Sequence, residues 1–353
     1  MKIDTIAMGR PLRDIPGLVR EVEDCGFTGL WFTESGRTAY TGCTAAALNA
    51  EHLDIGTAVA VAFPRSPMVT AQVAWELADT TDGRFILGLG TQVKAHNERR
   101  YSVTFDHPGA RLREYVLALR AIFRAFQGEE KLDFHGDFWS FDLMPRMWSP
   151  GPIEHPDVPV YVAAVRPWSV RMAGEVADGI HVHPFHSMRY VEEVVLPSIR
   201  EGATNAGRDP SDIAIVCPVM IVIGDTEEEL VAARDATRYR IAFYGSTRTY
   251  AGVFDLHGWE GTSDRLHELQ RGGDLQGMAS TITDEMLDVY SLETTWDGLA
   301  GALVEKYGGI ADRVVMYDAS SNWSYGAGAL ERWRDVAAGV LKATGEAAPS
   351  PDV

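Results

Sequence analysis

Hydrophobic positions along the chain alternate between two rhythms: short β-branched runs, and longer stretches in which apolar residues recur every three or four positions. Residues 2–8 read as a strand, and 12–25 as a helix with Leu12, Ile15, Leu18, Val19 and Val22 on one face, closed by Gly26. A second strand at 28–32, a short helix at 41–50 and a third strand at 53–62 follow. Ser66 and Pro67 open a helix that runs to residue 79, in the order an N-cap and a first-turn proline require. A fourth strand spans 85–89. The clearest amphipathic pattern is 109–126, with Leu112, Tyr115, Val116, Leu119, Ile122, Phe123 and Phe126 on one stripe.

The rhythm fails between 128 and 156, where FHGDFWSFD reads as a hairpin about His135 and Gly136 before a Pro-rich loop. It resumes with a strand at 158–163, a helix at 167–177, a strand at 179–183, a helix at 187–206 and a strand at 213–223. Thr226 and Glu229 are spaced as a capping box at the start of the next helix. Residues 245–280, rich in glycine and charge, read as irregular; a helix at 297–307, a strand at 313–317 and a helix at 328–344 end the pattern. Eight strands, nearly all followed by helices, predict an α/β fold, a (β/α)8 TIM barrel. It is read as a single domain over 1–345, with insertions near 128–156 and 245–295 and a flexible tail at 346–353. An open doubly wound sheet is the alternative, but GLGTQV has Val93 where a dinucleotide fingerprint needs its third glycine.

Composition narrows the partners. A formal net charge of −18 over 353 residues argues against nucleic acid and anionic membranes, which call for a basic face. No apolar run reaches the roughly 18 residues of a membrane span, and the start lacks the sections of a signal peptide, so the expected location is cytoplasmic. The expected partners are a small-molecule substrate and, at most, a second copy of the chain in a homodimer. Three cysteines without a CxxC pair suggest neither disulfides nor a thiolate metal site.

In such a barrel, chemistry belongs where strands end. The ends of strands four and five offer small residues and backbone amides beside Lys94, Arg99, Arg100 and Arg166, a rim suited to an anionic cofactor or simply to turns. His181, His183 and His186 have no standard metal spacing, and no metal is expected; His183 and His186 are the better proton-transfer candidates. Glu34 is a lone carboxylate at the end of strand two, either catalytic or paired with an arginine such as Arg65.

EDCGFTGLWFTES, IGTAVAVAFPRSPMVTAQVAWELADTTDGRFILGLGTQ and VPVYVAAVRPWSVRMAGEVADGIHVHP together resemble the bacterial-luciferase-like superfamily, in particular its branch that uses the deazaflavin coenzyme F420. Beyond residue 206 only the general character is shared. The resemblance implies a cofactor over the C-terminal mouth of the barrel, with a non-proline cis peptide in the third strand, here Ala58–Val59, behind its ring. It implies contacts from Ser35, Thr91, Gln92 and Asn97 to the cofactor, and a phosphate region at Val165, Arg166 and Trp168. The acid–base pair of the sugar-phosphate dehydrogenases in that branch is missing, since Ser35, Gly36 and Gln92 or Val93 stand in its place, and no lysine accompanies His183 and His186. A sugar phosphate is therefore not the expected substrate. The reading is an F420-dependent oxidoreductase that moves a hydride to or from a small organic substrate, with His183 as first and Glu34 as second candidate for the proton. The alternatives are an FMN-dependent monooxygenase on the same barrel and a barrel that binds a flavin or deazaflavin without turnover.

Overall fold

The computed structural model describes residues 1–317, 319 and 328–347. Eight strands form the frame: β1 (Lys2–Ala7), β2 (Gly29–Phe32), β3 (Asp54–Thr57, resumed at Ala60–Val61), β4 (Phe85–Gly90), β5 (Val160–Ala163), β6 (Gly179–His181), β7 (Ala214–Val219) and β8 (Arg313–Met316). Each pairs in parallel with the next, and β8 pairs with β1, so the sheet closes as a (β/α)8 barrel. Around it lie α1 (Ile15–Asp24), α2 (Ala39–Ala47), α3 (Pro67–Thr80), α4 (Pro108–Gln127), α5 (Pro167–Val176), α6 (Leu196–Asn205), α7 (Glu227–Gly245), α8 (Leu299–Tyr307) and α9 (Ala329–Thr344). The stripe predicted on α4 is buried throughout, each large side chain contributing about 1.5–3 kcal/mol by leaving water.

Inside the barrel Ile6, Trp31, Ile86, Tyr161, Val216 and Val315 form a plug, with Ala58 and Tyr317 packed against it. At the end where strands begin, Arg313 pairs with Asp4 at 2.9 Å and with Asp54, while Trp31 Nε1 and Thr28 Oγ1 donate to Asp4 at 2.9 and 2.7 Å. Burial alone would raise Asp54; Arg313 and Lys2 outweigh it and hold the carboxyl below its usual range. Polar groups buried at this face are matched to one another, which suits stability and leaves the opposite face for chemistry.

Four expectations change. Residues 213–223 are not one strand: β7 stops at Val219, and Ile221–Ile223 leaves the barrel to pair with Leu292–Thr294. A uniformly apolar run does not show where its hydrogen-bonding partner changes. The stretch 245–280 is helical, carrying Ala251–Asp255, Thr262–Gly272 and Leu275–Thr281. Its glycines are punctuation: Gly261 and Gly273, both at positive φ, flank one helix as its caps. The helix at 187–206 contains a π-helical stretch at Val191–Val195, just before Pro197, which has no N–H to donate. Leu12 lies outside α1 on a 3-10 turn and is half exposed.

The hairpin forms as read, with Phe134 opposite Phe141 and His135 opposite Ser140. Its tip is held by Glu114 of α4, which accepts from the amides of Asp137, Phe138 and Trp139 at 2.7–2.8 Å. Of the segment read as a flexible tail, Glu346 pairs with the amino group of Met1 at 3.0 Å; residues 348–353 lie outside the described residues. Among the described residues no helix is long and apolar enough to cross a membrane.

Candidate active site

The C-terminal ends of the strands surround a mouth whose floor includes Ala58. The Ala58–Val59 peptide is cis, and it divides β3 into its two halves. The two glycines of β4 are explained by what β3 places over them. A Cβ at Gly88 would lie 1.8 Å from the Thr57 carbonyl oxygen, and one at Gly90 would lie 2.6 Å from Val59 Cγ2. Thr57 also satisfies the β4 backbone, its hydroxyl donating to Gly88 O at 2.6 Å and accepting from Gly88 N at 2.8 Å. The GLG stretch is therefore a seat for the interrupted strand.

Glu34 closes the same strand from the other side. Arg65 grips it bidentately at 2.5 and 2.9 Å, and Val61 N donates to it at 2.7 Å. Arg65 adds bonds to Val61 O and Thr38 Oγ1 and lies 4.9 Å over the Tyr40 ring. Both carboxylate oxygens are engaged as acceptors, and the pairing with Arg65 is present.

The loop after β4 turns at Gln92, whose φ of 57° is left-handed and whose side chain accepts from Val93 N at 2.9 Å. Asn97 is fully buried and donates to Thr91 O at 2.8 Å and Val93 O at 3.2 Å, so it braces this loop from behind. Its Oδ1 has no partner among the described residues. Ser35 is exposed, and its carbonyl accepts from Arg100, which ties the β2 and β4 loops together. At the end of β5 the Val165 carbonyl accepts from Tyr190 at 2.9 Å. Arg166 occupies the N-cap of α5 and, as at the starts of α1, α2, α4, α6, α8 and α9, its side chain makes no cap bond. Exposed Arg166 and Trp168 stand beside the first turn of α5, with the indole of Trp168 lying on Gly109 of α4.

The histidines do not converge on one point. His181 lies inside the barrel, edge-on to Trp31 at 4.9 Å, with Nε2 unpartnered among the described residues. His186 is locked by His183 O at 2.8 Å and the Tyr307 hydroxyl at 3.2 Å. His183 stands at the mouth, its ring 4.8 Å from Tyr244 and 4.6 Å from Tyr250. Burial and the neighbouring His186 push the His183 imidazole down, to about 3. Its Nδ1 accepts from Phe185 N at 3.1 Å, which leaves the ring proton on Nε2. At neutral pH the ring is a neutral N–H donor. Among the described residues no group of three or more His, Cys, Asp or Glu side chains is placed to hold a metal.

Sequence reasoning passed over Tyr244, Tyr250 and Tyr317. Tyr317 follows β8 directly and shares a hydrogen bond with Tyr244. The strand-end rule extended to strand eight would have reached it; nothing in the sequence distinguishes Tyr244 from any helical aromatic. Two surface concavities lie elsewhere, on the 227–293 excursion. One, of about 440 Å³, is lined by Arg234 and Arg238, both already ion-paired.

A model of the luciferase-like monooxygenase family matches residues 2–313. The chain belongs to that family. It is 42% identical over 294 residues to an uncharacterized protein of Mycobacterium tuberculosis, covering 83% of this chain and 86% of the relative. It is 28% identical to the 5,10-methylenetetrahydromethanopterin reductase of Methanolobus tindarius, covering 81% and 84%. The solved coenzyme F420-dependent tetrahydromethanopterin reductase of Methanopyrus kandleri superposes with a TM-score of 0.77 at 20% identity, covering 97% of this chain and 99% of that one. The luciferase-like barrel fold is thereby shared along nearly the whole chain.

Proposed function

We propose that this luciferase-like protein is an F420-dependent oxidoreductase acting on a small organic substrate. The observation that carries the reading is the start of α5, where exposed Arg166 and first-turn backbone amides without a side-chain cap follow the C-terminal end of β5, at the end of the barrel where Ala58 packs on the interior plug. A cofactor with a planar ring and an anionic side chain matches both parts. A Mycobacterium tuberculosis relative, 27% identical over 296 residues, is named a putative coenzyme F420-dependent oxidoreductase, which favours a deazaflavin over a flavin. When bound, F420 supplies or accepts a hydride.

The chain's own residues then have separable tasks. Arg166, Val165 and Trp168 hold the anionic side chain. Ala58 and Val59 back the ring, with Thr57, Gly88 and Gly90 fixing where that backing stands. Asn97 sets the loop that carries Thr91 and Gln92 toward the cofactor, and Ser35 borders it from the β2 side. Glu34 and Arg65 hold the end of β3. His183 presents a neutral N–H to the substrate.

Parallel fluorescence titrations with F420 and FMN test the assignment. Saturable F420 binding, with FMN weaker by about tenfold or more (about 1.4 kcal/mol), is expected. FMN binding more tightly than F420 would overturn it in favour of a monooxygenase.

A further inference from the structure

His183, Tyr244, Tyr250 and Tyr317 come from four separate segments, the end of β6, the last turn of α7, the turn after it and the end of β8, yet they meet on one wall of the mouth. Tyr317 and Ala58 pack against the same interior plug, so this wall rises from the floor on which the cofactor ring is placed. The hydroxyls of Tyr244 and Tyr317 are hydrogen-bonded to each other, and the rings of Tyr244 and His183 stand perpendicular, at 90°. The guanidinium of Arg240 lies 5.6 Å over the Tyr317 ring.

We infer that the Tyr244–Tyr317 hydroxyl pair, with His183 Nε2–H beside it, receives the oxygen or nitrogen of a neutral carbonyl or imine substrate and supplies the proton that completes its reduction. This rests on the proposed function for the source of the hydride. The substrate carbon gains a hydride from the reduced deazaflavin, which is oxidised by two electrons. The C=O or C=N electron pair moves onto the heteroatom, and that atom takes a phenolic proton. The remaining negative charge is shared through the hydrogen bond between the two hydroxyls, and water restores the proton as product leaves. His183 is held neutral and donates a hydrogen bond only, so the proton comes from a phenol. A phenol is a stronger acid than an alcohol, which makes the transfer to an alkoxide favourable.

The test uses 4-nitrophenol, whose anion mimics the developing oxyanion and reports its own ionisation by visible absorbance. It is titrated into the full chain with and without F420, in wild type, Tyr317→Phe and Tyr244→Phe. Wild type is expected to bind the anion saturably, and each Phe variant to bind it about 10–100-fold more weakly, the span for losing one hydrogen bond to a charged group. Unchanged thermal midpoints and F420 affinity would show that the loss is local. Saturable binding unaffected by either substitution, or no binding by folded wild type, would overturn the inference. Titration without the cofactor keeps this outcome separate from a failure of F420 to bind, which would count against the proposed function instead.

Discussion

Replacing Glu34 by Gln separates a structural carboxylate from a catalytic one. The Glu34 side chain is 3% exposed and that of Arg65 21%, so the substitution leaves a largely buried guanidinium without its counter-charge. Breaking a buried pair by removing one partner costs about 3–5 kcal/mol. Arg65 keeps some solvent and its bonds to Val61 O and Thr38, so the lower end, about 3 kcal/mol, is expected here. With an unfolding entropy near 2.1 cal/mol/K per residue, 3 kcal/mol over a chain of this length lowers Tm by about 4 °C. Thermal and urea unfolding read both quantities. The double variant Glu34→Gln with Arg65→Met should recover part of the loss, because it leaves no unpaired charge. A Glu34→Gln protein as stable as wild type but unable to turn over would refute this account and restore Glu34 as the proton donor.

Gly88→Ala should destabilise by about 1–3 kcal/mol or more, seen as a lower urea midpoint, because its Cβ meets the Thr57 carbonyl oxygen. Arg166→Glu should weaken F420 binding by fluorescence titration with little change in Tm, since Arg166 is exposed at the start of α5. Burial lowers His181 to about 3 and His186 to about 4 in the folded chain, against 6.5 when unfolded. Both are neutral in either state above pH 6.5. As pH falls from 6.5 toward 4 only the unfolded chain takes up these protons, so urea-derived stability should drop by up to about 1.4 kcal/mol per pH unit for each histidine.

The barrel was legible because its signals are local and repeated. Leu112 to Phe126 describe a stripe that nothing but a helix on a sheet can bury, and Ser66–Pro67, Gly26 and the Thr226–Glu229 box mark ends by the hydrogen bonds they make or omit. The misread segments are those whose structure depends on partners far away in sequence. Ile221–Ile223 is apolar like β7, and only the presence of Leu292–Thr294 seventy residues later decides which sheet it joins. The glycines of 245–280 carry the same letters whether they cap helices or loosen a loop.

The site divides along the same line. Glu34 and Arg65 were visible as a pair because each sits at a strand end and one carboxylate among apolar residues needs a counter-charge. What the letters do not carry is the ionisation of His183, which depends on Tyr244, Tyr250 and His186 enclosing it, two of them contributed from beyond residue 240. Enclosure pushes the imidazole further below neutrality, and the same packing brings Tyr244 onto Tyr317. A proton source built from two phenols on separate elements has no sequence motif, since neither hydroxyl has the role without the other. The search for it has to start from the wall of the mouth, by asking which hydrogen there can be released at neutral pH.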